Sequence, residues 1–311
     1  MRDALVADLA ALGRYRIVTS IDRRFPMRGV PAGVEVVALG RNREPLTALL
    51  ARADAAWIIA PETGGCLERL VAQAEAAGVR VFGASARAIR RAADKGALAR
   101  LLGKHDLPHP PTRAAQSLAE CRGAVGQLGL PVVVKPARGA GSEGVQLVTD
   151  SRGLPKAVAA ARRAGGPGPL LVQRYMTGVA ASVSLLSTGR RAVVLGVNAQ
   201  RVNQTSGFAY QGGATPLVHP LAKRAAATAL ATCRTLPGLK GYVGVDLVLT
   251  GSEAVIIEVN PRLTTAYLGL RARFDINVAG LALAACAGRL PRVPPVGRHV
   301  RFSASGRIRA A

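Results

Sequence analysis

Short apolar segments alternate with helical segments along the first third of the chain. The periodicity predicts helices at 2–12, 46–53 and 63–78, and strands at 15–20, 34–39, 55–61 and 79–83. Alternation of this kind is typical of a parallel sheet covered by helices. Ser85 and Asp94 are suited to cap two further helices, and the prolines at 108–111 form a linker. Residues 1–111 are therefore predicted to form an N-terminal α/β domain.

A different order of elements follows the linker. Residues 112–176 predict a small subdomain with helices at 117–128 and 151–163 and strands at 130–136, 144–148 and 169–176. Residues 177–311 predict a C-terminal subdomain. It opens with antiparallel strands at 181–189 and 190–202, followed by a helix at 220–235, a strand pair at 241–260 and a helix at 275–286.

The strand pair at 241–260 carries polar side chains on one face. Apolar residues alternate on the other face, which is predicted to be buried: Val243, Val245, Leu247 and Leu249 with Val255, Ile257 and Val259. The polar face carries Asp246, Glu258 and Asn260. A three-residue turn at 251–253 would place Asp246 directly opposite Glu258, whereas a two-residue turn would put the two acids on opposite faces.

Two carboxylates held side by side repel each other unless a cation or a proton joins them. Oxygen ligands from Asp, Glu and Asn suit Mg²⁺, which usually completes its coordination with waters and nucleotide phosphates. Residues 151–311 contain four acids, and Asp246 and Glu258 are two of them. Arg262 would bring a positive charge beside the metal, where it could stabilise an oxyanion or a transferring phosphoryl group. The alternative is a solvated hairpin face.

A glycine-rich turn follows a buried strand that ends in Lys135. Glycines at 139, 141 and 144 let backbone N–H groups approach an anion closely, and Lys135 would add a point charge. The stretch does not match GxxxxGK[ST], which excludes a P-loop. The alternative is a glycine-rich hairpin with a surface lysine.

Charge and composition narrow the class of protein. The chain has 311 residues, 49% of them hydrophobic, and no apolar run approaches the roughly 18 residues of a membrane span. It carries 42 Lys and Arg against 18 Asp and Glu, for a net charge of +24. Only six of these basic residues are lysines, and the others are arginines. A GC-rich coding sequence would give this excess of arginine, so the charge does not require a nucleic-acid partner. The four cysteines are far apart in the sequence, which is typical of a protein in a reducing compartment. No signal peptide is recognisable, so we expect a cytoplasmic protein.

Several of these segments together resemble the ATP-grasp superfamily: DK at 94–95, VVVKP at 132–136, the glycine-rich turn, LLVQRYM at 170–176, GVDLVL at 244–249 and EVNPR at 258–262. The resemblance implies an α+β protein, with an ATP-grasp fold preceded by an α/β pre-ATP-grasp domain. It implies nucleotide binding by Lys95, Lys135, Gly139, Gly141, Ser142, Gly144, Gln173 and Tyr175. Asp246, Glu258 and Asn260 would carry Mg²⁺, with Mn²⁺ as a substitute, and Arg262 would face the reacting centre.

Further segments most resemble the tyramine-glutamate ligase group: WIIAPETGGCLERL at 57–70, GVAASVSLL at 178–186, GFAYQGG at 207–213 and NPRLTTAYLGLR at 260–271. The resemblance implies that ATP drives amide formation between the γ-carboxylate of L-glutamate and tyramine, in methanofuran-type cofactor synthesis. The partners would be small carboxylates and amines, without a specific nucleic acid or a membrane, and a homodimer is compatible with this. The alternatives are a ligase for another amino acid and amine, or a basic nucleic-acid-binding protein on a degenerate ATP-grasp scaffold.

Two departures from the superfamily pattern stand out. Many members carry a ribose-binding Glu just past the adenine hinge, where this chain reads Gly178-Val179-Ala180-Ala181. Nucleotide binding is then expected to be weaker, or another group holds the ribose. The N-terminal domain also opens inside its first helix. We expect either that the recorded start is downstream of the true one, or that this domain lacks its first strand, which leaves a sheet edge exposed.

Overall fold

The computed structural model describes residues 1–39, 45–139, 141–203, 207–294 and 297–310. Near the N-terminus it contains helices α1 (Arg2–Ala11), α2 (Leu46–Ala51) and α3 (Cys66–Ala76), and strands β1 (Ile17–Ile21), β2 (Val34–Ala38), β3 (Ala55–Ala56) and β4 (Arg80–Val81). The strands pair in parallel, as predicted. However, they form two separate two-stranded sheets, β1–β2 and β3–β4, in place of the expected single sheet.

Two capped helices lead from this region toward the linker. Helix α4 spans Ala86–Ala93, and the Ser85 side chain accepts a hydrogen bond from the Ala88 N–H. Helix α5 spans Lys95–Lys104, and Asp94 accepts from the Ala97 N–H at 2.8 Å. Both predicted caps are confirmed. The Asp94 cap sets Lys95 at the first position of its helix.

A four-stranded antiparallel sheet follows. It contains β5 (Thr112–Ala115), β6 (Val132–Pro136), β7 (Gln146–Val148) and β8 (Leu170–Arg174), in the order β5-β8-β6-β7. Helices α6 (Leu118–Leu128) and α7 (Leu154–Gly165) share its core, in which Val132, Val134 and Val172 are fully buried. Strand β5 was not predicted, because TRAA shows no apolar alternation.

The largest sheet has seven strands in the order β13-β12-β9-β10-β11-β14-β15. They are β9 (Val179–Thr188), β10 (Ala192–Asn203), β11 (Ala209–Thr215), β12 (Lys240–Leu249), β13 (Ala254–Asn260), β14 (Val300–Ser303) and β15 (Ile308–Ala310). Helix α8 (Ala222–Thr235) shares one core with this sheet and with α4 and α5. Helices α9 (Ala266–Phe274) and α10 (Val278–Cys286) share a second core with the sheet, which also includes Leu5 of α1.

Strands β12 and β13 bring Asp246 opposite Glu258 by an unexpected route. Near the turn, Leu249 pairs with Ala254, and the Thr250 N–H donates to the Glu253 carbonyl at 2.9 Å. This is the two-residue turn that would have separated the acids. A register shift between Asp246 and Leu247 restores the pairing, because Ile257 is an extra, bulged residue.

The bulge also corrects the predicted apolar face. Ile256, and not Ile257, belongs to the core beside α8, while Ile257 lines a cleft on the opposite side of the sheet. Side chains change faces at a bulge because two residues of one strand oppose a single residue of the other.

Helix α1 is tied to the C-terminal helices through Asp8. Its carboxylate accepts two hydrogen bonds from Arg271, at 2.7 and 2.6 Å, and one from the Tyr267 hydroxyl. The Asn277 amide donates to the Asp8 carbonyl at 2.6 Å. In the described part of the chain, no helix combines the length and apolar character that crossing a bilayer would need.

Candidate functional site

A cleft of about 1080 Å³, measured with its solvent-open mouth, lies between the four-stranded and seven-stranded sheets. The small sheet contributes Lys135 and Gln173, and the large sheet contributes Gln200, Asp246 and Glu258. Lys95, Ser142, Glu143, Arg174 and Tyr175 complete the polar side chains of the lining, and Gly139 also lies there. The rest of the wall is mainly apolar, with Val133, Met176, Ala180, Val202, Phe208, Val248 and Ile257. A mostly apolar wall with a few convergent polar groups is typical of a small-molecule site.

Two lysines face the carboxylates across this cleft. Lys135 is 4% exposed, and its Nζ donates to Gln173 Oε1 at 2.8 Å. Lys95 Nζ donates to the Gly139 carbonyl at 2.7 Å and lies 3.4 Å from Glu258 Oε2. Burial, and then the charge of Lys95, lowers the pKa of Lys135 to about 8, against the opposing effect of Glu258. A phosphate bound here would give this buried lysine a negatively charged partner in addition to the neutral Gln173.

The glycine-rich loop lies against the mouth of the cleft. Gly141, Ser142 and Gly144 have positive φ angles of 69°, 64° and 69°. A Cβ on Gly144 would lie 2.6 Å from Ala164 Cβ, so only glycine lets the loop pack on α7. Gly139 and Ser142 line the cleft, whereas Gly141 and Gly144 are not part of its described lining. Ala140 lies outside the described residues.

Strand β8 leads into the connection between the two sheets. The Gln173 side chain is hydrogen-bonded at both ends, because its amide nitrogen also donates to Thr112 Oγ1 at 2.8 Å. It therefore holds Lys135 in place. The Tyr175 N–H donates to the Pro131 carbonyl at 3.1 Å. The Tyr175 ring lies 6.4 Å from that of Phe208, and both residues line the cleft. Past this point Ala180 lines the cleft, within the stretch 178–181 that carries no acid.

Asp246 and Glu258 lie on neighbouring strands and share a donor. The Asn260 amide donates to Asp246 at 3.1 Å and to Glu258 at 3.4 Å, and Gln200 donates to the second oxygen of Asp246 at 2.9 Å. Burial, and then repulsion from Glu258, raises the pKa of Asp246 well above its usual value. Burial opposes ionisation of Glu258 as well, but Lys95 and Lys135 outweigh it and lower the pKa of Glu258.

This donor set fits a divalent cation. Two opposed carboxylates and an amide oxygen are hard oxygen ligands of the kind that Mg²⁺ prefers. The raised pKa of Asp246 indicates that nearby positive charge does not fully compensate the two carboxylates, even with Lys95 close to Glu258. Rotation of the Asn260 amide by half a turn would present its oxygen in place of its nitrogen.

Arg262 lies apart from the described lining of the cleft. Its guanidinium donates to Glu62 Oε2 at 2.8 Å and to the Leu263 carbonyl at 3.1 Å. The neighbouring threonines bond to tyrosines: Thr264 Oγ1 lies 3.1 Å from the Tyr242 hydroxyl, and Thr265 hydrogen-bonds with Tyr210. Neither threonine side chain caps α9.

Gln200 and Glu62 were missed from the sequence. Gln200 reaches Asp246 across β9, because the strand order is β12-β9-β10. Glu62 is 200 residues from Arg262 in the chain. No local pattern marks either residue, since both depend on long-range topology.

The fold and the cleft define an α+β protein in which two antiparallel sheets enclose a small-molecule site. The chain belongs to the ATP-grasp family: the ATP-grasp domain matches residues 92–266, and the pre-ATP-grasp domain matches residues 15–89.

Solved structures of low identity share this fold. A protein from Archaeoglobus fulgidus assigned to the ATP-grasp superfamily is 24% identical, with a TM-score of 0.71 over 96% of this chain and 83% of that one. The L-amino acid ligase from Bacillus licheniformis is 17% identical, with a TM-score of 0.75 over 96% and 76%. The biotin carboxylase domain of 2-oxoglutarate carboxylase from Hydrogenobacter thermophilus, a dimer bound to MgADP and bicarbonate, is 16% identical, with a TM-score of 0.80 over 96% and 70%.

Proposed function

We propose that this protein is an ATP-dependent ligase that joins a carboxylate to an amine through an acyl phosphate. ATP-grasp enzymes are generally ligases that form carbon–nitrogen bonds, and an L-amino acid ligase is among the similar structures. The observation that carries the proposal is the cleft itself, in which Lys95 and Lys135 face Asp246 and Glu258.

Each part of the cleft has a role in this proposal. Lys135, held by Gln173, and Lys95 bind the phosphates, while Gly139, Gly141, Ser142 and Gly144 form a loop that closes over them. Tyr175 and the backbone around Gln173 line the adenine site. Closure excludes the water that would hydrolyse the acyl phosphate.

Asp246, Glu258 and Asn260 hold Mg²⁺ in this proposal, and Gln200 orients Asp246. When bound, the ion neutralises phosphate charge and so makes the γ-phosphoryl group easier to transfer. Arg262, two residues past Asn260, is proposed to stabilise charge at the reacting carbonyl. Its ion pair with Glu62 fixes the direction of the guanidinium.

For the substrates we propose the γ-carboxylate of L-glutamate and tyramine, giving γ-glutamyltyramine, ADP and phosphate. The support is the sequence resemblance at 57–70, 178–186, 207–213 and 260–271. Such a product would place the reaction in methanofuran-type cofactor synthesis. A ligase for another amino acid and amine is the second candidate, since the cleft does not itself distinguish between them. Substitution of Mn²⁺ for Mg²⁺ and a homodimer stay predictions.

The test is ADP formation by the purified protein with ATP, Mg²⁺ and a panel of amino acids and amines. ADP formation should require a carboxylate and an amine together, and mass spectrometry should find the corresponding amide. A rate of ADP formation that does not depend on the amine and is unchanged in Asp246→Ala would contradict the proposal.

A further inference from the structure

Glu143 is the acidic residue of the glycine-rich loop, and its side chain lines the cleft. It is exposed, and no hydrogen bond or ion pair joins it to another described residue. In the proposed function this cleft binds phosphates through Lys95 and Lys135, and a carboxylate would repel a phosphate. Glu143 is instead suited to accept hydrogen bonds from an uncharged or cationic part of a ligand.

A tight turn sets the position of Glu143. The Val145 N–H donates to the Ser142 carbonyl at 3.2 Å, which places Glu143 and Gly144 at the two central positions of the turn. Gly144 packs on α7, where a Cβ would lie 2.6 Å from that of Ala164. The loop therefore presents the Glu143 carboxylate at a defined point of the cleft wall.

The loop connects two different parts of the cleft. Before Glu143, the Gly139 carbonyl accepts a hydrogen bond from Lys95 Nζ at 2.7 Å. After Glu143, the Val145 carbonyl oxygen lies 3.7 Å from where a Cβ on Gly207 would stand, and the next residue carries one of the two aromatic rings in the lining. Glu143 thus lies between the lysines and the aromatic rings.

Three carboxylates belong to the described lining, and Glu143 is the unpaired one. The other two, Asp246 and Glu258, share the Asn260 amide. The large sheet contributes apolar side chains such as Ala180 to the same cleft. A group with hydroxyl donors that lies between the lysines and the aromatic rings would therefore find a carboxylate acceptor in Glu143.

We propose that Glu143 accepts hydrogen bonds from the ribose hydroxyls of the bound nucleotide. The inference rests on the proposed function, which places the phosphates near Lys95 and the adenine near Tyr175, so that the ribose lies between them. The 2′ and 3′ hydroxyls are neighbouring donors, and the two oxygens of one carboxylate can accept from both. Glu143 would then select ribonucleotides over deoxyribonucleotides.

Equilibrium binding of nucleotides tests this role. The full chain is titrated by calorimetry, in the presence of Mg²⁺, with ADP, 2′-deoxy-ADP and 3′-deoxy-ADP. Wild-type protein should bind ADP at least about tenfold more tightly than either deoxy analogue, as expected for hydrogen bonds to a charged acceptor. Glu143→Ala should make the three affinities equal within about twofold.

A matched control is Glu253→Ala, which removes another exposed acid from a short turn and changes the net charge by the same amount. It should keep the full preference for ADP. If Glu143→Ala does not fold, Glu143→Gln keeps the shape of the side chain without its charge and should reduce the preference below about threefold.

Equal affinities of wild-type protein for the three nucleotides, or a preference that survives in the folded Glu143 variant, would overturn the inference. A surviving preference together with weaker binding of Mg²⁺ or tyramine would assign Glu143 to that ligand instead. Amide formation with an unchanged ADP preference in Glu143→Ala would leave the ligase proposal standing. Glu143-dependent preference for ADP without amide formation from any substrate pair would contradict the ligase proposal alone.

Discussion

Replacing Lys135 with methionine isolates the cost of burying its charge. The lysine is 4% exposed and bonds to Gln173, a neutral partner. Burial and Lys95 together lower its pKa to about 8, from the ordinary lysine value of 10.5. Methionine has a similar length and no charge, so the variant keeps most of the packing while the titration disappears.

The magnitude follows from the two pKa values. A difference of one pH unit corresponds to about 1.36 kcal/mol, so the protonated side chain destabilises the folded state by about 3 kcal/mol. Below pH 8, folded and unfolded chains are both protonated and the whole cost is present. Between pH 8 and 10.5 the folded chain releases its proton first, so this contribution to the free energy of unfolding rises with pH.

Urea unfolding of both proteins at pH 7, 8, 9 and 10 measures this effect. The stability of wild-type protein relative to Lys135→Met should rise by about 2 to 3 kcal/mol across that range. Lost packing and the lost bond to Gln173 shift the difference equally at every pH, so they do not affect the slope. Lys156→Met, at an exposed position on α7, is the matched control. A difference in unfolding free energy between wild-type protein and Lys135→Met that stays constant with pH would show that burial does not lower the pKa of Lys135.

Three further substitutions test other parts of the structure. Asp246→Asn should abolish Mg²⁺-dependent ADP formation and raise the melting temperature of the Mg²⁺-free protein at pH 7. Burial and a neighbouring acid raise the pKa of this carboxyl, so its ionisation opposes folding above the unfolded pKa. A lower melting temperature would contradict this. Asp8→Ala leaves the Arg271 guanidinium and a tyrosine hydroxyl without their acceptor and should cost about 3 kcal/mol in urea unfolding. A cost under about 1 kcal/mol would show that these bonds do not hold α1 to the C-terminal helices. Gly178→Ala should cost about 1 to 3 kcal/mol in the same assay and weaken ATP binding in calorimetry, because its Cβ would overlap the carbonyl oxygen of Leu249 at the cleft wall. Unchanged stability and affinity would show that the backbone at the cleft wall moves to accommodate the methyl group.

The sequence predicts this structure well where local pattern decides it. The strand that carries Lys135 is fully buried, as its valine run indicates, and both predicted caps accept their hydrogen bonds. Strand alternation also predicted the buried face of β12. These features depend on side-chain period and on short-range hydrogen bonds, both of which can be read within a few residues.

Long-range features could not be predicted in the same way. Asp246 and Glu258 face each other because a bulge at Ile257 offsets a two-residue turn, and no residue pattern announces that compensation. Gln200 reaches the acids through the strand order, and Glu62 through the packing of the N-terminal region on the segment after β13. Such contacts come from topology, which a single sequence specifies only indirectly.

The most direct test of the central claim is product analysis after incubation of the purified protein with ATP, Mg²⁺, L-glutamate and tyramine. We expect ADP and an amide to form in equal amounts, and omission of the carboxylate, the amine or Mg²⁺ to stop both. For L-glutamate and tyramine the amide should have the mass of γ-glutamyltyramine; an amide from another pair in a wider panel would move the substrate assignment and leave the ligase class intact. ADP formation without any amide across the whole panel would contradict the central claim.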